Sequence, residues 1–130
     1  MKTNGNTILI TGGSAGIGFE LAKQFSQLGN KVVITGRNEE KLKQAAAQLE
    51  NVFPIPGDVT NQESSDQLVA KIKEQHPELN MVINNAGYAA VYQLDAAAEA
   101  KLKASREMET NYLSIVDLTE KLLPTLLTNE

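Results

Sequence analysis

Apolar residues fall along this chain in two alternating rhythms. Short runs rich in β-branched residues read as four strands: Thr7-Ile8-Leu9-Ile10, Lys31-Val32-Val33-Ile34-Thr35, Val52-Phe53-Pro54-Ile55 and Met81-Val82-Ile83-Asn84. Between them apolar positions recur at helical spacing. Phe19, Leu21, Ala22, Phe25 and Leu28 predict a helix over 16–28, closed by Gly29 in a left-handed cap. Leu42, Ala45, Ala46 and Leu49 predict a second, from an Asn38 N-cap to Glu50, with Glu39 and Glu40 at its positive end. The turn Asp58-Val59-Thr60-Asn61 leads to a third over 63–75, with Leu68, Val69 and Ile72 inside. Residues 88–104 read as irregular or partly helical, with an alanine-rich patch at 96–100. A last helix is expected from Ser105 toward Leu127. Ile115, Leu118, Leu122 and Leu126 form its stripe, Val116, Leu123 and Leu127 widen it, and Pro124 is expected to bend or end it.

Strands alternate with helices, and no two strands are close enough for a hairpin. That order predicts an α/β domain, a parallel sheet with helices on both faces. Right-handed crossovers then set the strand order 3-2-1-4. Pro54 cannot donate to a ladder, which puts the third strand at an edge. The 130 residues suit one domain, 1–130, large enough for a real core.

Composition narrows the partners. Hydrophobic residues make up 42%, and no run approaches the roughly 20 apolar residues of a membrane span. Met1 to Asn6 lacks the apolar segment of a signal peptide. There is no cysteine, which excludes disulfides and Cys-based zinc sites and fits a cytoplasmic location. A net charge of -4 without a basic cluster argues against nucleic acid. His76 complements a helix end, and no second ligand lies at metal spacing, so no metal site is expected. Lys41 and Lys43 read as a solvated helix face rather than a phosphate patch.

The chemistry concentrates in Thr11 to Gly18, TGGSAGIG, between the first strand and the first helix. Backbone N–H groups at a helix start are unpaired and partly positive, so a pyrophosphate is stabilised there. Glycine is needed where the backbone turns tightly or approaches phosphate closely. The alternative is a glycine-rich turn that binds nothing.

The end of the second strand sets the choice of dinucleotide. A site for NAD places an acid there for the ribose hydroxyls. This chain has Thr35-Gly36-Arg37-Asn38, with no acid before Glu39. A guanidinium suits a dianionic phosphate, so the expected cofactor is NADP(H). A solvated surface arginine is the alternative. Asn84-Asn85-Ala86-Gly87 closes the fourth strand at the sheet's switch point, where small residues let a ribose lie close. A plain turn uses the same residues.

Together TGGSAGIG at 11–18, TGRN at 35–38, DVT at 58–60, NNAG at 84–87, and N-x-x-S at 111–114 with Leu123-Pro124 resemble the short-chain dehydrogenase/reductase family, over nearly the whole chain. Within it the chain is similar to oxidoreductases associated with lipoteichoic acid D-alanylation operons. The resemblance implies a Rossmann-type fold and hydride transfer between NADP(H) and a small carbonyl or alcohol substrate. Gly12, Ser14, Ala15, Gly16, Ile17 and Gly18 would hold the pyrophosphate. Arg37 and Asn38 would meet the 2′-phosphate, Asp58 and Val59 the adenine, and Asn85, Ala86 and Gly87 the ribose. Asn111 would match the catalytic asparagine that holds a water in the family's proton relay. The last helix would form a subunit interface, which makes a homo-oligomer the expectation.

One departure limits that expectation. The family's chemistry needs a Tyr-x-x-x-Lys pair and a serine. Tyr88, Tyr92 and Tyr112 have Tyr92, Ala96 and Val116 four residues on. The 130 residues therefore read as the family's N-terminal half, truncated before the fifth strand and inactive alone. Its fourth strand would be an edge exposing Met81, Val82 and Ile83, an invitation to association. A non-catalytic half-fold that binds nucleotide, or only self-associates, is the alternative.

Overall fold

All five residues of β1 (Thr7–Thr11) are buried, as a strand covered on both faces requires. The computed structural model describes residues 2–94 and 99–130. After β1 come α1 (Gly16–Gln27), β2 (Lys31–Thr35), α2 (Glu39–Ala47), β3 (Val52–Pro54), α3 (Gln62–Gln75) and β4 (Met81–Ile83). Then follow α4 (Glu99–Met108), a π-helical turn (Glu109–Leu113) and α5 (Ser114–Thr128). The strands pair in parallel in the order β3-β2-β1-β4, as the crossover rule requires.

The pleat sorts the core into two layers. Ile8, Ile10, Val32 and Ile34 point to one face and pack with Ala22 of α1 and Leu42, Ala45 and Ala46 of α2. Leu9 and Val33 point to the other and pack with Leu68 and Ile72 of α3 and Leu118 and Leu122 of α5. Burying each large aliphatic side chain contributes about 1.5–3 kcal/mol. Pro54 lies on the edge strand β3, where its missing N–H costs the ladder nothing on the outer side. Gly29 has φ +85 and closes α1 as expected.

Four expectations need correcting. Helix is already formed at Glu99, before Ser105. Good helix formers and a Glu99–Lys103 pair at 3.4 Å support this turn. Residues 96–98 of the alanine-rich patch lie outside the described residues. Pro124 does not end α5, which runs to Thr128. Pro124 and Glu120 are both exposed, so the carbonyl deprived of its donor can meet water. Val116, Leu123 and Leu127 do not widen the core stripe but are exposed. On the edge strand, Met81, Val82 and Ile83 are half-buried rather than exposed, because they alternate between the two cores.

Lys121 of α5 joins Asp66 of α3 at 2.8 Å and Asp117 at 2.7 Å, and Ser65 donates to Asp117. Burial works to raise the Asp117 pKa, but the bonds from Lys121 and Ser65 outweigh it and hold the carboxyl below its usual value. Burial likewise opposes the Lys121 charge, yet Asp117 and Asp66 hold its pKa above the ordinary one.

His76 caps α3 and is buried against the Phe53 ring, 5.3 Å between centroids. Burial, and then the nearby Lys31 charge, lower its pKa; Glu78, bonded to Lys31, opposes them weakly. The folded state thus holds the His76 proton less well than the unfolded chain. Stability should be full above the unfolded histidine value of about 6.5 and decline as pH falls through the folded value. Urea midpoints measured from pH 7.5 down to pH 5 should fall, and His76→Phe should flatten that slope. An unchanged slope in the variant would assign the decline to other groups.

Candidate functional site

The carboxyl end of β1 is locked to the turn after β4. The Thr11 hydroxyl accepts the backbone N–H groups of Asn85 at 3.0 Å and Ala86 at 2.9 Å. In return the Asn85 side-chain amide donates to the carbonyls of Thr11 at 3.1 Å and Gly12 at 3.2 Å. Gly12 has φ +68, a left-handed turn that a Cβ would strain. Its N–H and that of Gly13 both reach the Thr35 carbonyl, which ties the glycine turn to β2. A Cβ on Gly18 would stand 2.2 Å from the Gly12 carbonyl oxygen and 2.5 Å from the Asn85 amide. Only glycine there lets α1 start against the turn.

Three helices start at this end of the sheet. α2 is capped by Asn38, whose side chain accepts from Lys41 N–H, and carries Glu39 and Glu40 in its first turn. α3 is capped by Asn61 and carries Glu63. α1 has Ala15 at its cap, no side-chain bond and no acid in its first turn. Its first N–H groups are left without a side-chain acceptor, and there is open space beside Gly16 where a Cβ would stand.

A cavity of about 410 Å³ opens beyond the carboxyl ends of the strands. That is ample for part of a nucleotide. It brings together Gly12 and Ser14 from the first turn, Arg37 and Asn38 from the second, Asp58 and Val59 from the third, and Asn85, Ala86 and Gly87 from the fourth. Ala15, Gly16, Ile17 and Gly18 do not line it; they form the helix start beside it, with Ile17 75% exposed. The Asp58 carboxylate is engaged locally, accepting from the Thr60 N–H at 2.9 Å and hydroxyl at 2.6 Å.

Asn111 also stands outside the cavity lining, in the π-helical turn. Its side chain accepts from the Tyr88 N–H at 2.8 Å and donates to the Tyr88 carbonyl at 2.7 Å. Both functions of the amide are spent on fixing the segment after Gly87. Glu107 adds a third tie, accepting from the Ala90 N–H. The cavity also includes residues that the sequence did not assign to the site: Thr35, Gly36, Gly57, Thr60, Tyr88, Arg106, Thr110 and Lys41, which was expected only on a solvated helix face but lines the cavity. Lys41 follows the Asn38 cap by three residues, a spacing that could have placed it in the first helical turn beside Arg37. Arg106 stacks over the Tyr88 ring at 4.3 Å. No spacing signals that contact, because it depends on how α4 meets the segment after β4.

Comparison with known proteins agrees with this geometry. A family model described as short chain dehydrogenase matches residues 6–130. An uncharacterized oxidoreductase, DltE of Bacillus subtilis, is 39% identical over 127 residues, covering 98% of this chain and 50% of that protein. Serine 3-dehydrogenase of Agrobacterium fabrum is 35% identical over 123 residues, covering 93% and 49%. The crystal structure of 3-ketoacyl-(acyl-carrier-protein) reductase from Brucella melitensis complexed with NADH superposes with a TM-score of 0.88 at 26% identity, covering 98% and 52%. The RhlG/NADP active-site complex of Pseudomonas aeruginosa gives 0.84 at 26% identity, covering 97% and 50%. The chain spans about half the length of these relatives.

Replacing Thr11 by Val keeps a β-branched side chain but leaves the Asn85 and Ala86 amides without their acceptor. Thr11→Val should cost about 2–4 kcal/mol in urea unfolding. Hydrogen exchange should accelerate at those two amides; unchanged protection would remove Thr11 as the lock.

Proposed function

We propose, since the chain belongs to the short chain dehydrogenase family, that residues 1–130 form the NADP(H)-binding part of an oxidoreductase that moves hydride between a nicotinamide and a carbonyl or alcohol substrate. The residues present fit the group. The uncapped start of α1 offers amide donors, and the glycine approach at Gly18 leaves no side chain between helix and turn. In this reading Gly12, Ser14, Ala15, Gly16, Ile17 and Gly18 hold the pyrophosphate. Asp58 and Val59 meet the adenine, and Asn85, Ala86 and Gly87 line the ribose. The cofactor, when bound, supplies or takes up the hydride.

The observation that carries the choice of NADP(H) is the setting of Arg37. It lines the cavity, and no ion pair among the described residues includes it. Glu39, the first acid after β2, bonds Lys43 at 2.7 Å, which holds its pKa below the usual value. It also does not line the cavity. Asn38 spends its side-chain oxygen on the helix cap, which leaves its amide nitrogen for a phosphate oxygen. Asn111 acts here as a positioning residue, through Tyr88.

The chain has no Tyr-x-x-x-Lys, so by itself it should not turn over NADPH with a carbonyl substrate. A second reading, self-association, is favoured by the outer face of the last helix. Val116, Leu123 and Leu127 are exposed there, as are Met108 of α4 and Tyr112 of the π-helical turn just before it. Sedimentation over a range of concentrations separates a monomer from a homo-oligomer.

Calorimetric titration should give NADPH a clear advantage over NADH. Arg37→Asp should remove about 1.5–3 kcal/mol from NADPH binding, the worth of bonds to a charged group. Equal affinity for the two dinucleotides in the unaltered protein would reject the assignment.

A further inference from the structure

Two basic side chains of the second turn, Arg37 and Lys41, line the cavity, and the cofactor reading above gives a role to the first alone. Lys41 and Arg37 both line it, while Glu39, Glu40 and Lys43 do not. Helical geometry explains the division. Successive positions turn by about 100°, so Lys41 and Lys43 leave α2 on nearly opposite sides. Glu39 follows Lys43 through an i,i+4 pair, and Glu40 reaches Gln44. The acids of the first turn are thus directed along the helix, away from the cavity. Among the described residues neither Arg37 nor Lys41 takes part in an ion pair, whereas Lys31, Lys43, Lys103 and Lys121 all do.

The surroundings suit an anion. The Asn38 cap, 3.0 Å from the Lys41 N–H, fixes the turn that carries Lys41. Gly36 leaves space between the two turns, with the Ser14 hydroxyl 3.8 Å from where its Cβ would stand. Among the described residues, the carboxylate lining this cavity, Asp58, bonds Thr60. A guanidinium and an ammonium lining one cavity repel each other. A phosphate monoester carries nearly two negative charges at neutral pH and neutralises both, whereas a ribose diol neutralises neither.

We infer that Lys41 is a second specificity-determining cation, which grips the 2′-phosphate of NADP(H) together with Arg37. The inference rests on the NADP(H) reading above. The test is calorimetric titration of the full chain with NADPH, NADH, adenosine 2′,5′-bisphosphate and AMP. Lys41→Ala should weaken NADPH and adenosine 2′,5′-bisphosphate about tenfold and leave NADH and AMP within about twofold. Lys41→Arg should recover most of the loss, and Lys43→Ala should change nothing. If the unaltered protein prefers NADPH and Lys41→Ala keeps the full preference, Lys41 is excluded and Arg37 acts alone. Equal weakening of all four ligands in Lys41→Ala would mark a structural defect and also overturn the inference. No preference in the unaltered protein would defeat the NADP(H) reading, and this inference with it.

Discussion

The Gly12 carbonyl and the start of α1 approach each other so closely that only hydrogen fits at Gly18. The Asn85 amide bonds that same carbonyl. A larger residue at 18 would push α1 off the turn and strip Asn85 of one acceptor. A buried polar group left unmatched costs about 1–3 kcal/mol, more than a typical satisfied bond contributes net. The position of α1, the glycine turn and the segment after β4 are therefore one constraint rather than three. The wall formed by Asn85, Ala86 and Gly87 faces the wall formed by Gly12 because this junction closes.

Electrostatics then distinguishes helices whose starts share one end of the sheet. The positive ends of α2 and α3 are satisfied internally, by asparagine caps and first-turn acids. The start of α1 is not. The same economy governs the side chains of α2, where periodicity directs Glu39 and Lys43 to one another and Lys41 to the cavity. The proposed polyanion site would arise from where compensation is withheld, without any excess of basic residues in a chain of net charge -4.

The fold was legible because its signals are local. Short β-branched runs such as Thr7–Ile10, bounded by glycine turns, suit strands buried on both faces, and the alternation with helices then leaves one handed way to connect them. Asn38 as cap, Gly29 as helix stop and Pro54 on an edge strand follow from single-residue stereochemistry. What the sequence hid depends on environment. Pro124 reads as a breaker, yet an exposed Glu120 carbonyl tolerates it. Val116 and Leu123 match a core periodicity but lie on the far side of α5. The π-helical turn at Glu109–Leu113 breaks the helix expected to run unbroken from Ser105, and no apolar pattern announces it. Among the residues that line the cavity, Gly12, Arg37 and Asn85 were readable from motif spacing. Lys41 and Arg106 were not, since the first required knowing which way α2 rolls and the second how α4 packs.

Binding and chemistry are also separable in this geometry. Among the described residues, the cavity is lined mainly by turns at one end of a four-stranded sheet, together with Lys41 of α2, Arg106 of α4 and Thr110 of the π-helical turn. Proton transfer to a substrate oxygen makes a different demand: an acid whose own oxygen is activated by a neighbouring cation. Tyr88 is the one tyrosine in the cavity wall. Its cationic neighbour Arg106 lies over the ring face, 4.3 Å from the centroid, where it attracts the π-system. Its backbone is pinned on both sides by Asn111. Tyr88 is therefore held as a rigid piece of wall, and the polar groups that fix it reach its main chain. The asparagine turn can thus shape the cavity without supplying an acid, and affinity for a dinucleotide carries no requirement that the same residues move a proton.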